Sequence, residues 1–146
     1  MSLTPEQLAT ECSRVMHITD YAAQMMGIEI IQTSVGKAEL RMTVRKDMLN
    51  GHGSCHGGMM FTLADTAFAH ACNSTNKVTV ASGCTIDFIA PAFEGDTLIA
   101  VAEERTRSGR TGIYDINLTK PDGALVAIFR GRSYQIKGQI VAEDAV

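Results

Sequence analysis

Apolar and polar positions fall into distinct rhythms along the chain. Leu8, Cys12, Val15 and Met16 recur at helical spacing. Thr4 precedes them as an N-cap, Pro5 takes the first helical position, and Gln7 completes a capping box. Asp20 is placed to cap a second short helical turn over 21–26, ended by Gly27. From Ile28 the period becomes two, with Ala38, Leu40, Met42 and Val44 alternating with Lys37, Glu39, Arg41, Thr43 and Arg45 in a half-buried strand. Residues 47–58 are too rich in glycine for either regular element and read as a loop.

The stretch 59–74 is apolar around most of a helical circumference, as expected of a helix buried in the middle of a domain. Its polar members, Thr62, Asp65, Thr66, His70 and Asn73, recur at three- and four-residue steps and form one narrow stripe. Strands come next. Val78, Val80, Cys84, Ile86 and Phe88 alternate with polar neighbours, 97–106 is more continuously apolar, and Tyr114, Ile116 and Leu118 alternate again. Residues 120–123 read as a tight turn into a last strand over 124–136. Consecutive strands with short turns predict an antiparallel sheet, and one long central helix with the sheet curled around it predicts an α+β fold burying that helix on every side.

Composition narrows the class. The 146 residues suit one domain over 1–146, with 1–27 a helical N-terminal segment and 138–146 a flexible tail. The formal charge, 13 − 16 = −3, gives no basic face and argues against a nucleic-acid partner. No apolar run reaches the roughly 18 residues of a membrane helix, and the N-terminus lacks a signal-peptide pattern, so a cytoplasmic protein without a membrane partner is expected. Cys12, Cys55, Cys72 and Cys84 show no C-x-x-C spacing and read as separate thiols.

Two features carry candidate chemistry. At the junction Cys55-His56-Gly57-Gly58, amides at a helix start lack intrahelical partners and the helix dipole adds positive potential. Such a junction can polarise a carbonyl and hold the oxyanion that forms under attack. It also serves as a plain flexible helix entry. Asp65, on a stretch without Lys or Arg, has no local ion partner. If buried, its proton affinity rises, which suits a general base; otherwise it belongs to a solvated stripe. Gly57 and Asp65 lie 65 − 57 = 8 residues apart, about 12 Å along one helix. One small reacting group cannot touch both, so a joint site requires Asp65 from a second, symmetry-related chain. His52, Cys55 and His56 lack a second ligand cluster, so no metal is expected. Cys55 as a nucleophile beside His56 is poorly placed, because adjacent residues seldom align for attack.

The run Asn50-Gly-His-Gly-Ser-Cys-His-Gly-Gly58 followed by Leu63-Ala-Asp-Thr-Ala-Phe68 resembles the hotdog-fold acyl-CoA thioesterases, most closely their phenylacetate-degradation branch. Cys84-Thr-Ile-Asp-Phe88, Gly95-Asp-Thr-Leu98, Gly112-Ile-Tyr-Asp115 and Phe129-Arg-Gly-Arg-Ser133 extend the likeness over about 50–133. The resemblance implies a hotdog fold and side-by-side homodimers paired into homotetramers, with sites between subunits. It implies catalytic roles for Gly57 (carbonyl polarisation), Asp65 (nucleophile or base for water), Asn50 and His56. Gly58, Thr66 and Asn73 are expected to bind substrate. The implied substrates are phenylacetyl-CoA and its ring-hydroxylated forms, with coenzyme A as part of the substrate and no separate cofactor. Arg130, Arg132 and Lys137 are read as a solvated strand face or tail in preference to phosphate ligands. Two rival functions remain. A hotdog enoyl-CoA hydratase would use Asp47 and His52, although the Asn-Pro expected between them is absent. A non-catalytic acyl-CoA binding protein would need an output module, for which the segment 4–26 is a poor candidate.

Overall fold

The computed structural model describes residues 2–142. Helix α1 (Pro5–Thr19) opens as expected: Thr4 Oγ1 accepts the Gln7 N–H at 3.2 Å while Gln7 Oε1 accepts the Thr4 N–H at 2.9 Å. Asp20 caps the short α2 (Tyr21–Met25) through the Ala23 N–H. The period-two stretch from Ile28 divides into a hairpin, β1 (Glu29–Ser34) and β2 (Lys37–Thr43). A register shift between Ile30 and Gln32 breaks the alternation in β1, which is why the pattern is clean only from Ala38 onward. A 3-10 turn (Lys46–Met48) leads into the loop, and α3 (Gly57–Cys72) begins two residues earlier than its apolar pattern, inside the glycine pair. The remaining strands are β3 (Thr79–Phe88), β4 (Thr97–Ser108), β5 (Thr111–Thr119) and β6 (Leu125–Gln135).

All five pairings are antiparallel, in the order β1-β2-β4-β5-β6-β3. Helix α3 lies across one face and meets every strand. Leu40, Met42, Leu98, Ala100, Ile116, Leu118 and Phe129 point at it and are buried, whereas Arg41, Arg130 and Arg132 alternate onto the opposite, solvated face. Arg130 there forks onto Asp115 at 2.7 and 3.0 Å.

The seat of α3 is aromatic. Phe68 packs 5.5 Å from Tyr114 and 6.2 Å from Phe129, and Phe61 meets Phe129 edge-on at 5.1 Å. The Phe68 ring descends onto Gly131 of β6, where a Cβ would lie 2.7 Å from it. Only glycine admits that approach.

Three expectations need correction. The sheet does not enclose α3 on every side: Phe61, Thr62, Asp65 and Ala69 remain partly accessible and Gly58 is exposed. Six strands curl only partway round, and β3 ends the sheet with one edge unpaired among the described residues. The polar stripe also divides. Thr62 and Asp65 face the open side, but His70 is 1% exposed, its Nδ1 lying 2.8 Å from Ser13 Oγ, which in turn contacts Thr33 Oγ1 at 2.6 Å. Finally, the tail expected from residue 138 is tied down through 138–142. Val141 is buried, and Asn76 bonds the backbone of Ile140 and Val141. Residues 143–146 lie outside the described residues.

This packing has two measurable consequences. Gly131→Ala should overpack the helix seat and lower stability by about 1–3 kcal/mol, read from urea unfolding midpoints. Burial also pushes the His70 imidazole down from its ordinary 6.5 to about 4, against the opposing pull of Asp20 and with a further lowering from His17. The unfolded chain therefore takes up this proton first as pH falls. The stability contributed by neutral His70 is complete above pH 6.5 and is lost between about 6.5 and 4, by an amount on the order of 3 kcal/mol. His70→Gln should be less stable at pH 7 and should lack that part of the acid slope.

Candidate active site

The glycine loop is ordered by one side chain. Asn50 Oδ1 accepts the N–H groups of His52 and Ser54 at 2.9 and 3.2 Å, and its Nδ2 donates to Ser54 Oγ at 3.1 Å. Cys55 N–H then donates to Ala92 O and His56 N–H to Met48 O, which clamps the chain as it enters α3. At the helix start His56 Nδ1 accepts the Gly58 N–H at 2.9 Å. A neutral imidazole accepting at Nδ1 carries its hydrogen on Nε2. The Gly58 amide is spent on this cap. The Gly57 N–H finds no acceptor among the described residues and stands at the positive end of the helix dipole. It borders a cavity of about 310 Å³ lined by Asn50, Ser54, Cys55, Met60 and residues 88–91. The Phe88 ring covers Gly57 so closely that a Cβ would lie 2.8 Å from its Cζ.

Two turns along the same helix, Asp65 borders a second cavity, of about 360 Å³. The walls there are mostly apolar, with Met16, Phe68, Ala69, Cys72, Val80 and Ile140 among them. No described residue donates a hydrogen bond to the Asp65 carboxylate. Burial raises its proton affinity, and the Asp20 carboxylate adds to the effect. An unspent amide donor and an unpaired carboxylate thus sit in separate cavities of one chain, at the two ends of β3: Phe88 borders the first, and Thr79, Val80 and Ala81 the second.

The other expected site residues divide by what their polar atoms already hold. Asn50 reaches the Gly57 cavity but mainly shapes the loop, and His56 serves as the N-cap. Asn73 lines the Asp65 cavity with its amide committed, donating to Ala69 O and Thr79 O and accepting from Thr79 N–H. These bonds brace β3 against the helix and use both amide hydrogens, while Oδ1 keeps a second lone pair. Thr66 borders neither cavity, because its hydroxyl turns back to Thr62 O at 2.7 Å. Gly58, its amide taken by His56, borders neither cavity.

Alternative chemistries lose support in the same geometry. Burial pushes the Cys55 thiol to about 11, so it is not the ready thiolate that a nucleophile needs. No metal-binding cluster of His, Cys, Asp and Glu occurs among the described residues. Asp47, the acid of the hydratase reading, is exposed and paired with Arg45 at 3.0 Å. Phe88, from the Cys84–Phe88 strand expected to shape the acyl pocket, lines the Gly57 cavity, whereas residues 89–91, Met60, Met16 and Ile140 line the cavities without having been singled out in the sequence. For 89–91 the available signal was an apolar strand end running into Pro91. Met16 and Ile140 carry no local signal, because only folding brings the two ends of the chain to α3.

Comparison with known proteins places the chain in a family. Residues 52–127 match the family described as Thioesterase superfamily. The chain is 50% identical over 135 residues to the acyl-coenzyme A thioesterase PaaI of Escherichia coli, spanning 92% of this chain and 96% of that protein. A solved structure of E. coli PaaI, from the phenylacetic acid degradation operon, superposes with a TM-score of 0.91 at 48% identity over 93% of this chain and 99% of its own. A Streptococcus pneumoniae hypothetical thioesterase solved with coenzyme A aligns at TM-score 0.73 and 24% identity, over 77% of this chain and 90% of its own, a likeness of fold. The six-stranded sheet around α3 is thus the hotdog fold.

The half-buried, unpaired Asp65 sets a cost on the folded state that can be measured. Its proton affinity is raised on folding, so the unfolded chain ionises first, and stability falls as pH rises through the carboxyl range from 3.8 upward. Asp65→Asn should therefore melt higher than the parent protein at pH 7, with the gain shrinking toward pH 4, by calorimetry of the two proteins side by side.

Proposed function

The chain belongs to the thioesterase superfamily and is an acyl-CoA thioesterase; from that premise we propose that it hydrolyses phenylacetyl-CoA and its ring-hydroxylated forms at sites shared between two copies of the chain. The observation carrying this reading is the division of one donor and one base between two cavities. A group held at Gly57 cannot reach Asp65 of the same helix, about 12 Å away. The free edge of β3 supplies the second copy. Ten residues long, with Val80 43% and Phe88 55% exposed, it is an apolar edge open to strand pairing. Antiparallel pairing of β3 with its symmetry mate sets the Val80 end of one protomer against the Phe88 end of its partner. The Asp65 cavity of one then adjoins the Gly57 cavity of the other, and a C2 dimer has two such sites. Two dimers pair into the homotetramer.

In such a site the thioester carbonyl accepts the Gly57 N–H, and the helix dipole stabilises the oxyanion as it forms. The Asp65 carboxylate of the other chain takes a proton from water, whose oxygen bonds to the carbonyl carbon. Collapse of the tetrahedral intermediate breaks the carbon–sulfur bond, and the departing thiolate takes up a proton. The products are the free acid and coenzyme A, which returns coenzyme A from arylacetyl thioesters to circulation. No separate cofactor enters this scheme. Asn50 holds the loop and His56 the helix start, so both act by fixing where the amide points.

The test is thiol release from phenylacetyl-CoA by two single variants and their mixture. Asp65→Asn removes the base and should lower turnover by about 10²–10⁴. Gly57→Pro removes the amide hydrogen at a position where helices accept proline and should cost about 10²–10³, while Gly57→Ala, which brings the same Cβ against the Phe88 ring but keeps the N–H, serves as its control and should lose much less. Unfolding and re-forming the two variants together restores one intact site in each mixed dimer, so activity should return to a sizeable fraction of wild type. A mixture as inactive as its parents would refute the shared site, and a fully active Asp65→Asn would refute the base.

A further inference from the structure

The Asp65 cavity takes one of its lining residues, Ile140, from a segment that lies outside the helices and the six strands. After β6 the chain runs on beside Val78, whose C=O accepts the Ile136 N–H at 2.8 Å and whose N–H donates to Gly138 O at 3.1 Å. Asn76 then fastens the residues beyond Gly138. Its Oδ1 accepts the N–H groups of Ile140 and Val141 at 3.0 and 2.7 Å, and its Nδ2 donates to Val141 O at 3.0 Å. Asn76 is buried and is the sole non-glycine residue with positive φ among the described residues, at +65°. An asparagine tolerates that backbone, and its side chain here holds the strap by three bonds, with the Cys12 thiol as a further donor to Oδ1 at 3.7 Å. Val141 is thereby buried, and Ile140 joins Met16 of α1 in lining the cavity.

We propose that this strap sets which acyl groups the enzyme accepts, with Ile140 as the specificity-determining wall and Asn76 as the positioning residue that holds it. The inference rests on the thioesterase reading of Asp65. With the thioester carbon beside that carboxylate, the acyl group enters a space of about 360 Å³ bounded by Ala69, Cys72, Val80, Met16 and Ile140. An apolar cavity of about 150 Å³ holds a benzene ring, so this one takes a compact aryl group and its linking methylene. The walls are mostly apolar and Asp65 is among them, so an acyl group here is buried against hydrophobic side chains beside the carboxylate. An octanoyl chain has as many carbons as phenylacetyl but is longer when extended, so a chain running toward Ile140 meets a side chain that the Asn76 bonds hold in place.

The experiment compares kcat/KM for phenylacetyl-CoA and octanoyl-CoA in the full-length protein and three variants. Ile140→Ala should move the ratio toward octanoyl-CoA by about tenfold or more, the scale of hydrophobic pocket discrimination. Asn76→Gly keeps the positive φ and loses only the side-chain bonds; it should move the ratio the same way. In the double variant the second substitution should add little, because Asn76 acts through Ile140. A purely structural role for Asn76 would instead lower both substrates together and leave the ratio fixed. Hydrolysis with an unmoved ratio in Ile140→Ala overturns the strap as a specificity element and leaves the thioesterase standing. Hydrolysis of neither substrate by the parent protein, with no thiol from any acyl-CoA, overturns both.

Discussion

The position of Phe68 over Gly131 is the contact on which the rest of the molecule depends. A helix lying on a sheet is free to slide and roll unless something keys it. Here the key is an aromatic ring lowered into the one inward position of β6 that has no side chain, and gripped by Tyr114 and Phe129. Close-packed interiors tolerate little displacement at such a point. With Phe68 fixed, the residues one turn and three turns before it are fixed as well, so Asp65 faces the gap beside β3 and Gly57 meets Phe88. The donor amide is thus placed by packing 68 − 57 = 11 residues away, about 16 Å of helical rise.

The molecule treats its polar groups in two ways. Away from the open face most are satisfied: Asn73 commits its amide to bracing β3, Asn76 bonds the strap, and Ser13, Thr33 and His70 Nδ1 form a chain of short contacts, although His70 Nε2 and His17 Nδ1 lack a partner among the described residues. On the open face two groups are left unspent, the Gly57 amide and the Asp65 carboxylate. A folded protein seldom leaves buried donors and charges without partners. The carboxylate accordingly holds its proton more tightly than a solvated one, and the amide keeps its full capacity for an oxygen yet to arrive. Stability given up at these two atoms is the counterpart of binding strength reserved for a reacting group.

The unpaired edge of β3 belongs to the same design. A long apolar edge is a hazard in a monomer, and closing it against an identical strand removes the hazard while joining two half-sites. On the proposed dimer, folding, assembly and catalysis therefore share one strand. The strap from 136 to 141 meets that strand at its other end, beside Val78 and Val80, so the chain termini shape the cavity that assembly completes.

Much of this was legible in the residues. The capping box at Thr4 and Gln7, the alternation of Leu40 and Met42, and the all-round apolar helix about Leu63 are local patterns, and local patterns fix elements because period and capping act within a few residues. Gly57 and Asp65 were legible as candidates for the same reason: a glycine pair at a helix start and a carboxylate without a cation nearby are visible in a short window. Spacing along one helix even showed that the two cannot meet within a chain. What the sequence left open was decided by contacts between residues far apart. The hairpin turn at 35–36 was hidden by a bulge in β1, and His70 and Asn73 turned inward because α1 and β3 offered them partners. The helix kept an open face because the sheet ran out of strands. Met16 and Ile140 reached Asp65 only when both ends of the chain packed against α3, and no local rule encodes a meeting across 124 residues, 140 − 16. Periodicity writes elements into the sequence, whereas cavities exist only where elements meet.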